Sequence, residues 1–195
     1  MTRQIAVTFD YRCPFAYNGH TSVIAALRAG ADLDVRYVPF SLDQIHVPEG
    51  EAPMWERDPS EWGSGLLALC YGIAARDHFP EQFVDVHLEL FAARHVHSGK
   101  LDDEAVLREA VGRAGVDPDA VAAVAHAPET LKTLAAEHTE MVEDYAVFGV
   151  PTFLEGDHSV FVRFMDRGNP DDVERMLDLL EWTSLNEFKR TKIPR

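Results

Sequence analysis

A helical pattern running from Glu61 to Phe148 divides a chain whose two ends are both written in strand. Ahead of it, Ile5-Ala-Val-Thr-Phe9 is a short β-branched and aromatic run that reads as a buried strand. Asp10-Tyr-Arg-Cys-Pro14 follows as a loop. Pro14 suits the first turn of a helix, because the N–H it lacks has no intrahelical partner there. Phe15, Val23, Ala26 and Leu27 recur at helical spacing, and Gly30 ends the run. Leu33-Asp-Val-Arg-Tyr-Val-Pro39 alternates as a second strand. A right-handed crossover makes the two strands parallel. Residues 41 to 60 read as loop, punctuated by Pro48, Gly50, Pro53 and Pro59.

Within the helical block, Leu66, Leu67, Leu69, Cys70, Ile73 and Ala74 form one apolar face, and Phe83, Val86, Leu90 and Phe91 another. Acidic residues before Ala105, and Asp117-Pro118 and Pro128-Glu129, mark further helix starts, the last running to about Tyr145. Roughly four or five helices of ordinary length fill the block. Pro151-Thr-Phe-Leu154 and Ser159-Val-Phe-Val-Arg-Phe164 then flank Gly156-Asp157 and predict a hairpin. Asn169-Pro170 opens a final helix with Asn169 as its cap. The order β-α-β, helices, β-β-α predicts an α/β chain with a thioredoxin-like fold carrying a large all-helical insertion. Residues 1–40 and 149–195 would form the thioredoxin-like domain and residues 61–148 the inserted one.

Composition narrows the function. The formal net charge of −15 repels phosphate backbones and anionic lipid, which disfavours a nucleic-acid or membrane partner. No apolar run approaches the roughly 20 residues that span a bilayer. Met1 to Asp10 reads as a first strand and not as a signal peptide, so a cytoplasmic location is expected. Two cysteines far apart, Cys13 and Cys70, make no disulfide framework and are expected as free thiols.

Cys13 is the candidate nucleophile. A thiol at a helix N-terminus faces unpaired N–H groups and the positive end of the helix dipole. Both favour thiolate, so a pKa below the ordinary value of about 8.5 is expected. Val150-Pro151 begins the hairpin half of the sheet, where a cis proline would turn the preceding backbone groups outward to pair with an extended substrate. Phe15, Trp55 and Trp62 are candidates to line an apolar pocket over Cys13. Arg12 is a candidate to lower the thiol pKa further or to attract a small thiol's carboxylate. Histidines 87, 95 and 97, with Asp85 and Glu89, lack a zinc spacing, so no metal is expected.

Cys13-Pro-Phe-Ala-Tyr17 after the first strand, the helical insertion, and Gly149-Val-Pro-Thr-Phe153 together resemble the DsbA-like thioredoxin family. That group takes in protein-disulfide oxidoreductases, kappa-class glutathione transferases and 2-hydroxychromene-2-carboxylate isomerases. Trp62-Gly63, Arg167-Gly168 and the tail Glu187-Phe-Lys-Arg-Thr191 are most similar to its mycothiol-dependent nitroreductase branch. The resemblance implies Cys13 as nucleophile, a cis Pro151, and substrate contacts at Pro14, Phe15, Trp62, Val150 and Pro151. It implies no tightly bound cofactor, and a low-molecular-weight thiol (mycothiol or glutathione) as cosubstrate with a disulfide or small electrophile. A homodimer is left open. The chain departs from the redox members at Ala16, where they carry the second cysteine of Cys-x-x-Cys. Without that thiol, DsbA-type dithiol exchange is not expected. The alternatives are a thiol-dependent isomerase or transferase, and a non-catalytic binding protein that keeps the groove.

Overall fold

The computed structural model describes residues 2–192. Strand β1 (Arg3–Phe9), helix α1 (Pro14–Arg28) and strand β2 (Leu33–Pro39) open the chain, and β1 and β2 pair in parallel with Ile5 opposite Val35. Five helices follow: α2 (Leu66–His78), α3 (Phe83–His95), α4 (Glu104–Arg113), α5 (Pro118–Ala125) and α6 (Pro128–Tyr145). The hairpin β3 (Thr152–Glu155) and β4 (His158–Phe161) and helix α7 (Asp171–Glu181) complete it. The sheet order is β2-β1-β3-β4, with β3 antiparallel to β1 and β4 antiparallel to β3. This is the thioredoxin-like sheet with a helical insertion that the sequence predicts.

The helix starts follow their local chemistry. Asp103 accepts from the Ala105 N–H at 3.0 Å and Asp117 from the Asp119 N–H at 2.9 Å, each filling an orphan donor of the first turn. Pro14, Pro118 and Pro128 sit in first turns. At α7 the Asn169 side chain accepts from the Asp171 N–H at 3.2 Å, although the helix proper begins after Pro170.

Thr8, Val7 and Phe9 are all buried, so the C-terminal end of β1 is covered on both faces. One contiguous apolar core joins the sheet to the inserted helices, from Phe9 and Phe40 through Leu69 and Phe91 to Leu134. Arg76 on α2 ties three elements, donating at 2.8 Å to the Tyr37 carbonyl of β2 and at 2.8 Å to Glu137 of α6.

Strand β4 is shorter than its pattern. The sequence extends it to Phe164, but pairing ends at Phe161. The Val162 N–H still reaches the Pro151 carbonyl, and then Asn18 of α1 donates to the carbonyls of Phe164 at 3.0 Å and Met165 at 3.4 Å. Those bonds draw residues 163–167 off the sheet and across the first turns of α1.

Candidate active site

The loop between β1 and α1 is fixed from both sides. On one side Asp10, fully buried, accepts from the backbone N–H groups of Arg12 and Leu42 at 2.9 Å each. The Arg12 guanidinium reaches back to Asp10 at 3.4 Å and to Asp43 at 2.6 Å. Burial pushes the Asp10 carboxyl up, and Arg12 beside it opposes the rise. Gly63 and Gly65 pass directly over this cluster. A Cβ on Gly65 would lie 2.7 Å from Arg12 Nε, and one on Gly63 would enter the Asp43 carboxylate. Arg12 is therefore committed to Asp10 and Asp43 and does not serve Cys13, contrary to the sequence expectation.

On the other side Tyr11, also fully buried, anchors the loop to α3. Its carbonyl accepts from His95 Nε2 at 2.9 Å, and its hydroxyl meets His87 Nδ1 at 2.8 Å. His87 Nε2 meets His20 Nδ1 at 2.9 Å, and His20 Nε2 meets the Thr8 carbonyl at 3.1 Å. A carbonyl only accepts, so His20 carries its proton on Nε2 and His87 donates to His20 Nδ1. The Tyr11 hydroxyl then donates to His87 Nδ1. The chain is complete with both rings neutral, and burial holds both imidazoles below their ordinary pKa, His20 at about 4. Gly72 of α2 lies against the Tyr11 ring, where a Cβ would be 2.9 Å from Cε2 and 3.0 Å from Cζ.

Cys13 caps α1. Its sulfur accepts from the Ala16 N–H at 3.5 Å, and its thiol donates to the Val150 carbonyl at 3.3 Å. The Val150–Pro151 peptide is cis. Thr8 holds this second loop by accepting from the Thr152 N–H at 2.9 Å, and Thr152 Oγ1 donates to Gly149 O at 2.8 Å. Gly19 allows the two loops to close, since a Cβ there would lie 3.2 Å from Pro151 Cγ.

The geometry departs from the sequence expectation in the thiol's acidity. Burial pushes the Cys13 thiol up from its ordinary value. The Ala16 and Phe15 N–H groups pull it down, the buried Asp10 charge raises it, and the Arg163 charge lowers it, but burial prevails. The helix N-terminus is present; the half-buried setting against Val150 outweighs it.

The structure brings Cys13, Pro14, Phe15, Val150 and Pro151 together. Trp62 is half-buried against the core, with its indole N–H donating to the Arg57 carbonyl at 3.3 Å. Trp55 packs on His138, with ring centroids 5.4 Å apart. Cys70 is buried on α2, its thiol pushed up to about 12 by burial, and it forms no bridge to Cys13. His87 and His95, candidates for metal by residue type, are spent on Tyr11. Sequence reasoning missed Asp10, Asp43, Gly19 and Arg163. An acidic residue ending a strand and a lone glycine inside a helix were the only local signals for two of them.

The chain belongs to the DSBA-like thioredoxin domain family, which it matches over residues 4–178. The uncharacterized protein Rv2286c of Mycobacterium tuberculosis is 32% identical over 150 residues, which cover 76% of this chain and 63% of that protein. The chain thus spans less than two thirds of that relative's length. Among solved structures, a DsbA variant from Pseudomonas aeruginosa superposes with a TM-score of 0.64 at 18% identity, covering 94% of this chain and 88% of that one. A putative protein disulfide isomerase from Nitrosomonas europaea gives 0.64 at 14% identity, with 93% and 98% covered. No helix among the described residues is long and apolar enough to cross a membrane.

Proposed function

We propose that this protein is a monothiol oxidoreductase acting through Cys13 with a low-molecular-weight thiol. The observation that carries the reading is the Cys13 thiol at the head of α1, 3.3 Å from the carbonyl that precedes Pro151, with a methyl group at Ala16 in the resolving position. The Cys13 thiolate attacks a small disulfide, forming a mixed disulfide at Cys13 and expelling one thiolate; the Cys13 proton goes to solvent. A second small thiolate then attacks the small-molecule sulfur of that mixed disulfide. It leaves as a new small disulfide, and Cys13 is restored. Sulfur oxidation balances across the cycle, and no second protein thiol enters it.

The resemblance to the mycothiol-dependent branch supports mycothiol as the thiol, with glutathione as the alternative, and a cytoplasmic site of action. Because burial raises the thiol pKa, the thiolate fraction and with it the rate of attack increase as pH rises, and a thiolate of higher pKa is intrinsically the more nucleophilic.

That raised thiol also favours a second reading, a non-catalytic protein that binds extended ligands at Val150 and Pro151. Oxidation with a small disulfide followed by intact-mass measurement separates them. One adduct mapped to Cys13, released by a second small thiol with turnover, supports the monothiol enzyme. No adduct at any pH up to 9.5 overturns it in favour of binding. Loss of two hydrogens with Cys13 joined to Cys70 would overturn the monothiol cycle.

A further inference from the structure

Arg163 stands where the sequence would have put Arg12. Its guanidinium carbon lies 5.3 Å from the centroid of Phe15, two residues after Cys13, and 5.2 Å from that of Phe161. The Phe161 ring in turn borders Gly149, where a Cβ would be 3.3 Å from its Cε2, and packs tilted against the exposed ring of Phe148, with centroids 5.1 Å apart. The guanidinium thus bridges an aromatic ring beside the nucleophile and an aromatic ring beside the Val150–Pro151 loop.

A cation–π contact engages the charge of a guanidinium without using its five N–H donors in hydrogen bonds. Among the described residues no hydrogen bond or ion pair fills those of Arg163, which is exposed. With 33 acidic residues against 18 basic ones, arginines 3, 12, 28, 36, 57, 76, 108, 113 and 175 are ion-paired, whereas Arg163, like Arg94, Arg167 and Arg190, has no ion pair among the described residues. Arg167 continues the same edge of α1, 3.9 Å over the Tyr17 ring with its Nε on Asn18. A pair of cations without carboxylate partners, on a surface of net charge −15, lies along the turn that carries Cys13.

We propose that Arg163 is an anion-recognising residue of the Cys13 site, selecting small disulfides, thiols or electrophiles that bear a carboxylate near the reacting atom. The inference rests on the thiol-exchange reading above and deepens it. The overall negative field disfavours anionic ligands. A carboxylate docked in the plane of Arg163 is admitted by charge-assisted hydrogen bonds, while its apolar portion lies along Phe15, Phe161 and Phe148.

The test uses the intact chain and two aromatic disulfides: dithiobis(nitrobenzoate), with a carboxylate on each ring, and dithiodipyridine, which is neutral. Each reacts with the Cys13 thiolate to give a mixed disulfide and one absorbing leaving group, the thionitrobenzoate thiolate or, after uptake of a proton, the thiopyridone, so the second-order rate is read directly; C13S identifies the Cys13 signal. In R163Q the ratio of the anionic to the neutral rate should fall about three- to tenfold at low salt. R163K should recover part of it, and high salt should erase the difference. Taking the ratio removes the effect of Arg163 on the thiol's own acidity. Equal slowing with both reagents, or no change with either, overturns the inference. A Cys13 inert to both in the unmodified protein overturns the thiol-exchange reading, and this inference with it. A reactive Cys13 with unaltered selectivity overturns this inference alone.

Discussion

Replacing Gly72 with alanine tests how tightly the inserted helices hold the Cys13 turn. In a helix interior the change would by itself stabilise the chain by about 1 kcal/mol. Here the new Cβ would lie 2.9 Å from Tyr11 Cε2 and against the hydroxyl oxygen, closer than atoms pack. Tyr11 is fully buried and its hydroxyl is pinned to His87 Nδ1 at 2.8 Å, so it has no free volume to enter. Moving it leaves His87 Nδ1 without a donor, at a cost of about 1–3 kcal/mol. The overpacking adds about 1–3 kcal/mol. After the helix gain, G72A should lose about 1–5 kcal/mol, a fall in Tm of about 10 °C near the middle of that range for a domain of this size. Thermal unfolding by circular dichroism measures it. Y11F should itself cost about 1–3 kcal/mol, since it orphans the same imidazole nitrogen. The double variant should then fall short of the sum by about 1 kcal/mol or more, because both changes break one hydrogen bond. Additive losses, or a G72A variant as stable as the parent, would refute the reasoning that the Tyr11 hydroxyl and His87 form the contact on which α2 closes.

Other outcomes follow from the same geometry. His138 accepts from the Ser41 N–H at 3.1 Å and burial lowers its pKa from 6.5 to about 4, as it does for His20. Between those values the unfolded chain binds protons that the folded one refuses. Stability is therefore complete above about pH 6.5 and falls as the pH drops toward 4, by about 3 kcal/mol per histidine. Chemical denaturation across that range reads the slope, and an unchanged slope in H138Q would contradict it. In the native protein iodoacetamide should label Cys13 at a rate that climbs through pH 9 and leave Cys70, only 1% exposed, unlabelled until unfolding. Labelling of Cys70 at a comparable native rate would contradict its burial. Ala16→Cys should confer some disulfide-donating activity in a refolding assay, because the turn and the Val150–Pro151 loop are already in place. No activity despite a measured bridge between Cys13 and the introduced thiol would show that the groove does not admit a protein substrate.

The order of elements was legible from sequence because strands and helices announce themselves by local period and by punctuation. Ile5–Phe9 and Leu33–Pro39 carry the β pattern, and Pro14, Pro118 and Pro128 mark first turns. The position of Cys13 at a helix head followed from the same rules. The thiol's environment did not, since a residue's desolvation depends on what packs over it from elsewhere in the chain. Burial beside Val150, 137 residues away in sequence, reverses the acidity that the helix start alone suggests.

The polar contacts of the site were hidden for a related reason. A hydrogen bond between distant side chains leaves no periodic trace. Arg12 read as a candidate partner for Cys13 or for a ligand carboxylate until Asp10 and Asp43 enclosed it, and Arg163 read as a strand residue until Asn18 drew its segment over α1. Gly63 entered the sequence reading only as part of a family resemblance, and Gly65 and Gly72 drew no reading at all; their meaning lies in Asp43, Arg12 and Tyr11 approaching where a Cβ would stand. Local periodicity determined which elements form and where the cysteine sits. Only the packing of distant segments decided the charge, the proton positions and the open donors around it, because those depend on distances that sequence separation does not encode.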